Sequence, residues 1–131
     1  AGSMSTIEVW ENYITAHNNG DIEAVRNLNA TENFKAIGPD GTVFDDTDAH
    51  IEFLTQWFEN NVPKWETNYL IANEYTDKDG KLRQWVTSGH DITLQVEGNE
   101  VKAYQIHDAL IVDKKVQMFY VYERADSPQT E

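Results

Sequence analysis

The chain has no cysteine, only three prolines and two methionines, and its 10 basic residues are outnumbered by 23 acidic ones. Without a thiol there is no disulfide, no thiolate nucleophile and no cysteine-ligated metal. Cysteine-free composition fits the cytoplasm, which is the expected location. The formal net charge of −13 repels phosphate backbones and anionic lipid, so nucleic acid and membrane are set aside as partners. No apolar run approaches the roughly 20 residues a membrane span needs, and no secretory pattern opens the sequence. There is no glycine-rich phosphate loop and no Gly-x-Ser-x-Gly elbow, which removes nucleotide and serine-hydrolase readings. The four histidines, His17, His50, His90 and His107, lack a metal-binding spacing such as His-Glu-x-x-His, so no metal and no cofactor is expected.

What remains suits one domain. At 131 residues the chain is long enough for a single core, and its four tryptophans, six tyrosines and five phenylalanines supply that core with large flat pieces. The excess of acid reads first as solubility. Ala1-Gly2-Ser3 before Met4 reads as a cloning remnant, which places the domain at residues 5–124 and a flexible tail at 125–131.

Ser5 followed by Glu8 reads as a capping box. Val9, Trp10, Tyr13, Ile14 and His17 then fall on one helical face. Gly20 offers a left-handed stop, and Asp21 can cap a short second helix buried through Ile22, Val25 and Leu28. "NFKAIGPDGTVFDD" reads as a small hairpin about a Pro-Asp-Gly turn. "DDTD" can cap a third helix, with Ile51, Phe53, Leu54, Trp57 and Phe58 inward and Pro63 ending it. From Lys64 the period changes to that of strands. Turn signals at 77–80, 98–99 and 113–114 divide the rest into a four-stranded antiparallel meander. Helices followed by strands make an α+β domain, with the helices on one face of the sheet.

A two-residue turn at Gly98-Asn99 would set His90 opposite His107, and one at Asp113-Lys114 would set His107 opposite Tyr120. With Thr76 opposite Lys81, Thr67 would face His90. Thr67, His90, His107 and Tyr120 then form one row on the inner face. Trp65, Tyr69, Ile71, Val86, Ile92, Leu94, Ile111, Val116 and Met118 share that face. A bulge would slip this register, and Ser88-Gly89 is the place expected for one. The other face would carry Leu70, Trp85, Thr87, Tyr104, Ile106, Leu110, Phe119 and Val121. An apolar face of that size points to a homodimer through the sheet, with Trp85, Tyr104, Ile106, Leu110 and Phe119 in the interface.

The order of elements, and above all "YITAHNNGDIEAVRNL", resembles the nuclear transport factor 2-like superfamily, in its SnoaL-like and ketosteroid isomerase-like branch. The resemblance covers residues 5 to about 124. It implies a cone-shaped, cystatin-like α+β fold, with a curved antiparallel sheet wrapped around three N-terminal helices, and a sheet-to-sheet dimer. The fold hosts isomerases, cyclases, dehydratases, hydrolases and non-catalytic domains. Tyr13, seven positions before Gly20, has the spacing of the oxyanion-donating tyrosine of ketosteroid isomerases. Their catalytic aspartate falls at Ile37, which has no ionisable group, and Asp40 belongs to the turn. The acidic residue on the last strand of SnoaL-type cyclases has no clear match among Tyr120-Val121-Tyr122-Glu123.

The expected function is therefore binding of a small, largely apolar molecule in the cone. Cofactor-independent acid–base chemistry would rest on His107 and His90, with Tyr120 and Tyr13 as hydrogen-bond donors. Asp91 and Asp108 alternate to the outer face, and a bulge would turn one of them inward as a general base. Trp57, Trp65, Tyr69, Met118 and Thr67 would line the ligand site. The alternative is a non-catalytic ligand-binding or dimerisation module in which the same residues are plain core.

Overall fold

A computed structural model describes residues 4–125; residues 1–3, expected to be a cloning remnant, and the expected tail from Asp126 lie outside the described residues. Helix α1 spans Met4–Asn18 and already includes Ser5. It stops where Gly20 takes a φ of 65°. The side chain of Asp21 then accepts the Ala24 N–H at the start of α2, Ile22–Leu28. Strands β1, Lys35–Ile37, and β2, Val43–Phe44, form the hairpin around Pro39-Asp40-Gly41. Asp46 caps α3, Thr47–Asn61, and Val62 closes it in the left-handed region just before Pro63. The meander follows as β3, Lys64–Thr76; β4, Leu82–Val96; β5, Asn99–Val112; and β6, Lys115–Ala125.

The hairpin joins the meander. β1 runs parallel to β6, so the sheet is mixed and six-stranded in the order β2-β1-β6-β5-β4-β3. It is curved and unclosed. Helix α1 lies against β3, β4, β5 and β6. Its Trp10 and Tyr13 are buried with Val25, Phe34, Ile51, Leu54, Val86, Ala109, Val116 and Phe119 in one core.

The register departs from expectation at three places, each with a local cause. The β4–β5 turn falls at Glu97-Gly98, both with positive φ, not at Gly98-Asn99. A type I′ turn favours glycine at its second central position, and Gly98 takes it. The pairing therefore slips by two residues, which keeps every side chain on its face: His90 sits opposite Gln105, and His107 opposite Ser88. The β3–β4 loop holds five residues, because the Asp77 carboxylate accepts from the backbone of both Asp79 and Lys81. Thr76 thus pairs with Leu82. A bulge between Thr67 and Tyr69 restores the alternation, so Thr67 does face His90 while Tyr69 and Ile71 turn outward and Leu70 inward. The bulge lies in β3, opposite the Gly89 position where one was expected in β4.

The third departure matters most for the site. β6 carries a bulge between its pairs Leu110–Met118 and Ile111–Val116. Beyond it, Phe119 and Val121 face inward, and Met118 and Tyr120 face outward. Tyr120 pairs with Asp108, not with His107, and stacks on Trp85 and Tyr122. Phe119 is accordingly a core residue at 8% exposure, not part of an outer interface.

Candidate functional site

Between α1, α3, the hairpin and the inner sheet face lies a cavity of about 410 Å³. Its wall is mainly aromatic: Trp10, Tyr13, Phe44, Phe53, Trp57, Trp65 and Phe119. The polar part consists of His17, His50, His107, Gln105, Thr42, Asp40 and Glu123. Among the described residues, no set of three histidine or carboxylate side chains is placed to hold a metal ion.

His107 and His90 are neighbours, as diagonal residues on one face can be. Their ring centroids are 4.4 Å apart. Only His107 lines the cavity. His90 is fully buried behind it, with Nδ1 3.0 Å from Thr67 Oγ1 and Nε2 2.7 Å from Ser88 Oγ. Ser88 Oγ also accepts the Trp10 indole N–H. Both nitrogens of His90 are thus committed.

His107 is half committed. Gln105 donates its amide N–H to Glu123 Oε1 at 2.7 Å, which points Gln105 Oε1 at two donors. One is the Trp65 indole at 2.9 Å; the other is His107 Nε2 at 2.8 Å. An amide oxygen only accepts, so His107 Nε2 carries the proton. Nδ1 is left as a lone pair, buried and without a partner. Buried polar atoms are seldom left so, since each costs about 1–3 kcal/mol.

The four imidazoles are neutral. Burial pulls His17 down to about 4, against a hydrogen bond to the Tyr13 carbonyl. Burial, with some repulsion from His17, brings His50 to about 3. Burial holds His90 at about 4, and holds His107 well below its ordinary value with help from His90 and His17. The Tyr13 hydroxyl, raised by burial, donates to Asn29 Oδ1 at 2.5 Å. Asn29 in turn reaches His50 Nδ1 at 3.1 Å. Asp40 is held below the usual carboxylate range by its bonds from Thr42.

Of the site residues expected from sequence, His107, Tyr13, Trp57 and Trp65 come together in the cavity wall. His90 and Thr67 stand behind it. Tyr69, Met118 and Tyr120 are corrected to the outer face by the two bulges. Asp108 lies outside as its alternation implied, accepting from Thr87 Oγ1, and Asp91 is exposed. Sequence reasoning missed His17 and His50 as wall residues, although His17 was read on the buried face of the first helix. It also missed Gln105, which shares the inner face with His107 by alternation, and Glu123, whose position depends on the β6 bulge. Glu123 is an exposed acidic side chain of β6 at the edge of the cavity.

The family model for the SnoaL-like domain matches residues 7–112. The chain belongs to the SnoaL-like family. Several solved structures share the fold at low identity. An LEH-like epoxide hydrolase of M. tuberculosis is 12% identical with a TM-score of 0.70, over 93% of this chain and 84% of that one. SalBIII, an epoxide hydrolase/cyclase-like enzyme in pyran ring formation in polyether salinomycin, is 17% identical with a TM-score of 0.73, over 91% and 90%. Bal32a, from a soil-derived mobile gene cassette, is 15% identical with a TM-score of 0.73, over 91% and 88%. No curated protein matches the sequence. At these identities the likeness to solved structures establishes the SnoaL-like fold. The domain has no helix long and apolar enough to cross a membrane among the described residues.

Proposed function

We propose that this SnoaL-like domain binds a small, largely apolar molecule in its cone. The observation that carries this reading is the 410 Å³ cavity with aromatic walls and a few convergent polar groups, the usual make-up of a small-molecule site. If the bound molecule is turned over, the chemistry is cofactor-independent proton transfer of the isomerase, cyclase, dehydratase or hydrolase type. His107 is then the group to test, because its Nδ1 lone pair lacks a partner. His90 supports it by packing against its ring, and Tyr13 shapes the wall with a hydroxyl already given to Asn29.

A second reading, binding without turnover, is favoured by the imidazoles' low proton affinity. A general base works best with a pKa near the operating pH, and these histidines sit at about 3 to 4 where a value is defined. His107→Gln separates the two. Loss of turnover by about 10²–10⁴-fold with binding retained supports catalysis. A lowered melting temperature with turnover per folded molecule unchanged refutes it.

The outer sheet face supports assembly. Trp85, Tyr104 and Ile106 are half-buried there, beside the more exposed Tyr69, Ile71 and Tyr122. Pairing with a second copy through this face is the proposed quaternary arrangement.

A further inference from the structure

Two histidines of the cavity wall have their protons fixed by their neighbours. His17 Nδ1 lies 2.7 Å from the Tyr13 carbonyl oxygen, which can only accept. Nδ1 therefore carries the proton, and Nε2 holds a lone pair. His50 has the opposite arrangement. The Tyr13 hydroxyl donates to Asn29 Oδ1 at 2.5 Å. That orients the Asn29 amide and aims its N–H group at His50 Nδ1, 3.1 Å away. His50 Nδ1 accepts, so the proton sits on Nε2. Neither Nε2 has a hydrogen-bond partner among the described residues. Neither is sealed off, since the sealed, partnerless side-chain atom found there is His107 Nδ1. Both rings line the cavity, with centroids 6.3 Å apart.

We propose that His17 and His50 form an acceptor–donor pair that selects an uncharged ligand carrying a hydroxyl beside a carbonyl. The hydroxyl donates to His17 Nε2, and the carbonyl oxygen accepts from His50 Nε2–H. This rests on the cone being a binding site for a small apolar molecule, and adds the polar group that the site recognises. The two rings, 6.3 Å apart between centroids and both in the cavity wall, are close enough for one small molecule to bridge. The ligand is uncharged because Asp40 and Glu123 line the cavity and no lysine or arginine does, so an anion meets only repulsion. A cation would leave the His50 N–H unmatched. The depressed pKa values, about 4 and about 3, keep both rings neutral and their roles distinct at neutral pH. Trp57, Trp65 and Phe119 supply flat surface for the ligand's apolar body.

The test compares three uncharged bicyclic probes of similar shape: tetralin, α-tetralone and its α-hydroxy derivative, titrated calorimetrically. The hydroxy-ketone should bind about tenfold or more tighter than tetralin, the increment two neutral hydrogen bonds supply. His17→Phe should reduce the hydroxy-ketone to the affinity of α-tetralone. His50→Phe should reduce α-tetralone to the affinity of tetralin, each compared with tetralin in the same variant. Equal affinities for the three probes in the unaltered protein, or an increment that survives its histidine's removal, overturns the pair but not the apolar site. Failure of all three to bind overturns the apolar site and the pair together. A measurement free of variants uses imidazole nitrogen-15 shifts at neutral pH. His17 should be protonated on Nδ1 and His50 on Nε2, and either ring in the opposite tautomer overturns the proposal.

Discussion

Acidification should unfold this protein while its surface charge is being relieved. The chain carries a formal charge of −13 at neutral pH and a sequence pI of about 4.5, so surface repulsion falls as the pH drops. The buried histidines work the other way. An unfolded histidine titrates near 6.5, whereas in the fold His17 and His90 titrate at about 4 and His50 at about 3. The folded values are depressed, so between about 6.5 and 4 the unfolded chain binds more protons than the native one. Stability is therefore fully present above the unfolded pKa and declines as the pH falls through that window. At about pH 5 each of the three costs about 2 kcal/mol, and together about 6 kcal/mol, against a typical domain stability of about 5–15 kcal/mol. Exposed charges are screened over about 8 Å at physiological salt, and exposed pairs contribute about 1 kcal/mol or less, so the histidines should win. Urea midpoints measured from about pH 7 to about pH 5 at constant salt should fall steadily, and His17→Gln should make that fall shallower. A midpoint that holds or rises down to about pH 5 would refute the assignment of these rings as buried and neutral.

Three further outcomes follow from the geometry. Gly89→Ala should destabilise by about 1–3 kcal/mol in urea melts, because a Cβ there would lie 2.3 Å from the Tyr69 ring and 2.5 Å from the Tyr104 hydroxyl; Tyr69→Ser should recover part of the loss. Gln105→Leu orphans the Trp65 and His107 N–H groups together and should cost about 1–3 kcal/mol for each, read as a lower melting temperature. Ile106→Glu should give folded monomers by light scattering, whereas Phe119→Glu should abolish folding; a monomeric unaltered protein at micromolar concentration would remove the interface proposal.

Capping and turn chemistry were legible from local sequence: Gly20, Asp21, Asp46 and the break at Pro63 act where their residue types say. Meander order was legible too. Side-chain facing was legible only while no residue was inserted. The slip at Glu97-Gly98 is an even number of residues and did no harm. The longer Asp77–Lys81 loop and the Asn68 bulge are odd and opposite, so Thr67 still met His90 while Tyr69 between them did not. The bulge in β6 has no glycine or proline to announce it. It exchanges Tyr120 for Phe119 and turns Val121 and Glu123 toward the cavity, which is why β6's share of the wall could not be read from the linear pattern. His17 takes its role from the Tyr13 carbonyl within α1, and His50 takes its role from Tyr13 and Asn29, contacts between elements that no linear pattern shows.

The parallel pairing of β1 with β6 has a consequence for how the cavity comes into being. The hairpin that walls one side, Ala36 to Thr42, is made early in the chain, yet among the described residues its only neighbour in the sheet outside the hairpin is the last strand. Closing so long a loop must precede the contacts that reward it, which makes this a slow, late event. During synthesis the hairpin waits without a seat until β6 has left the ribosome. The helices and the β3–β5 meander can gather first, and the cavity is then the final part of the molecule to acquire its shape. Shortening β6 from its C-terminal end would therefore be felt at a wall built some 80 residues earlier, about the separation of Ile37 from Tyr120.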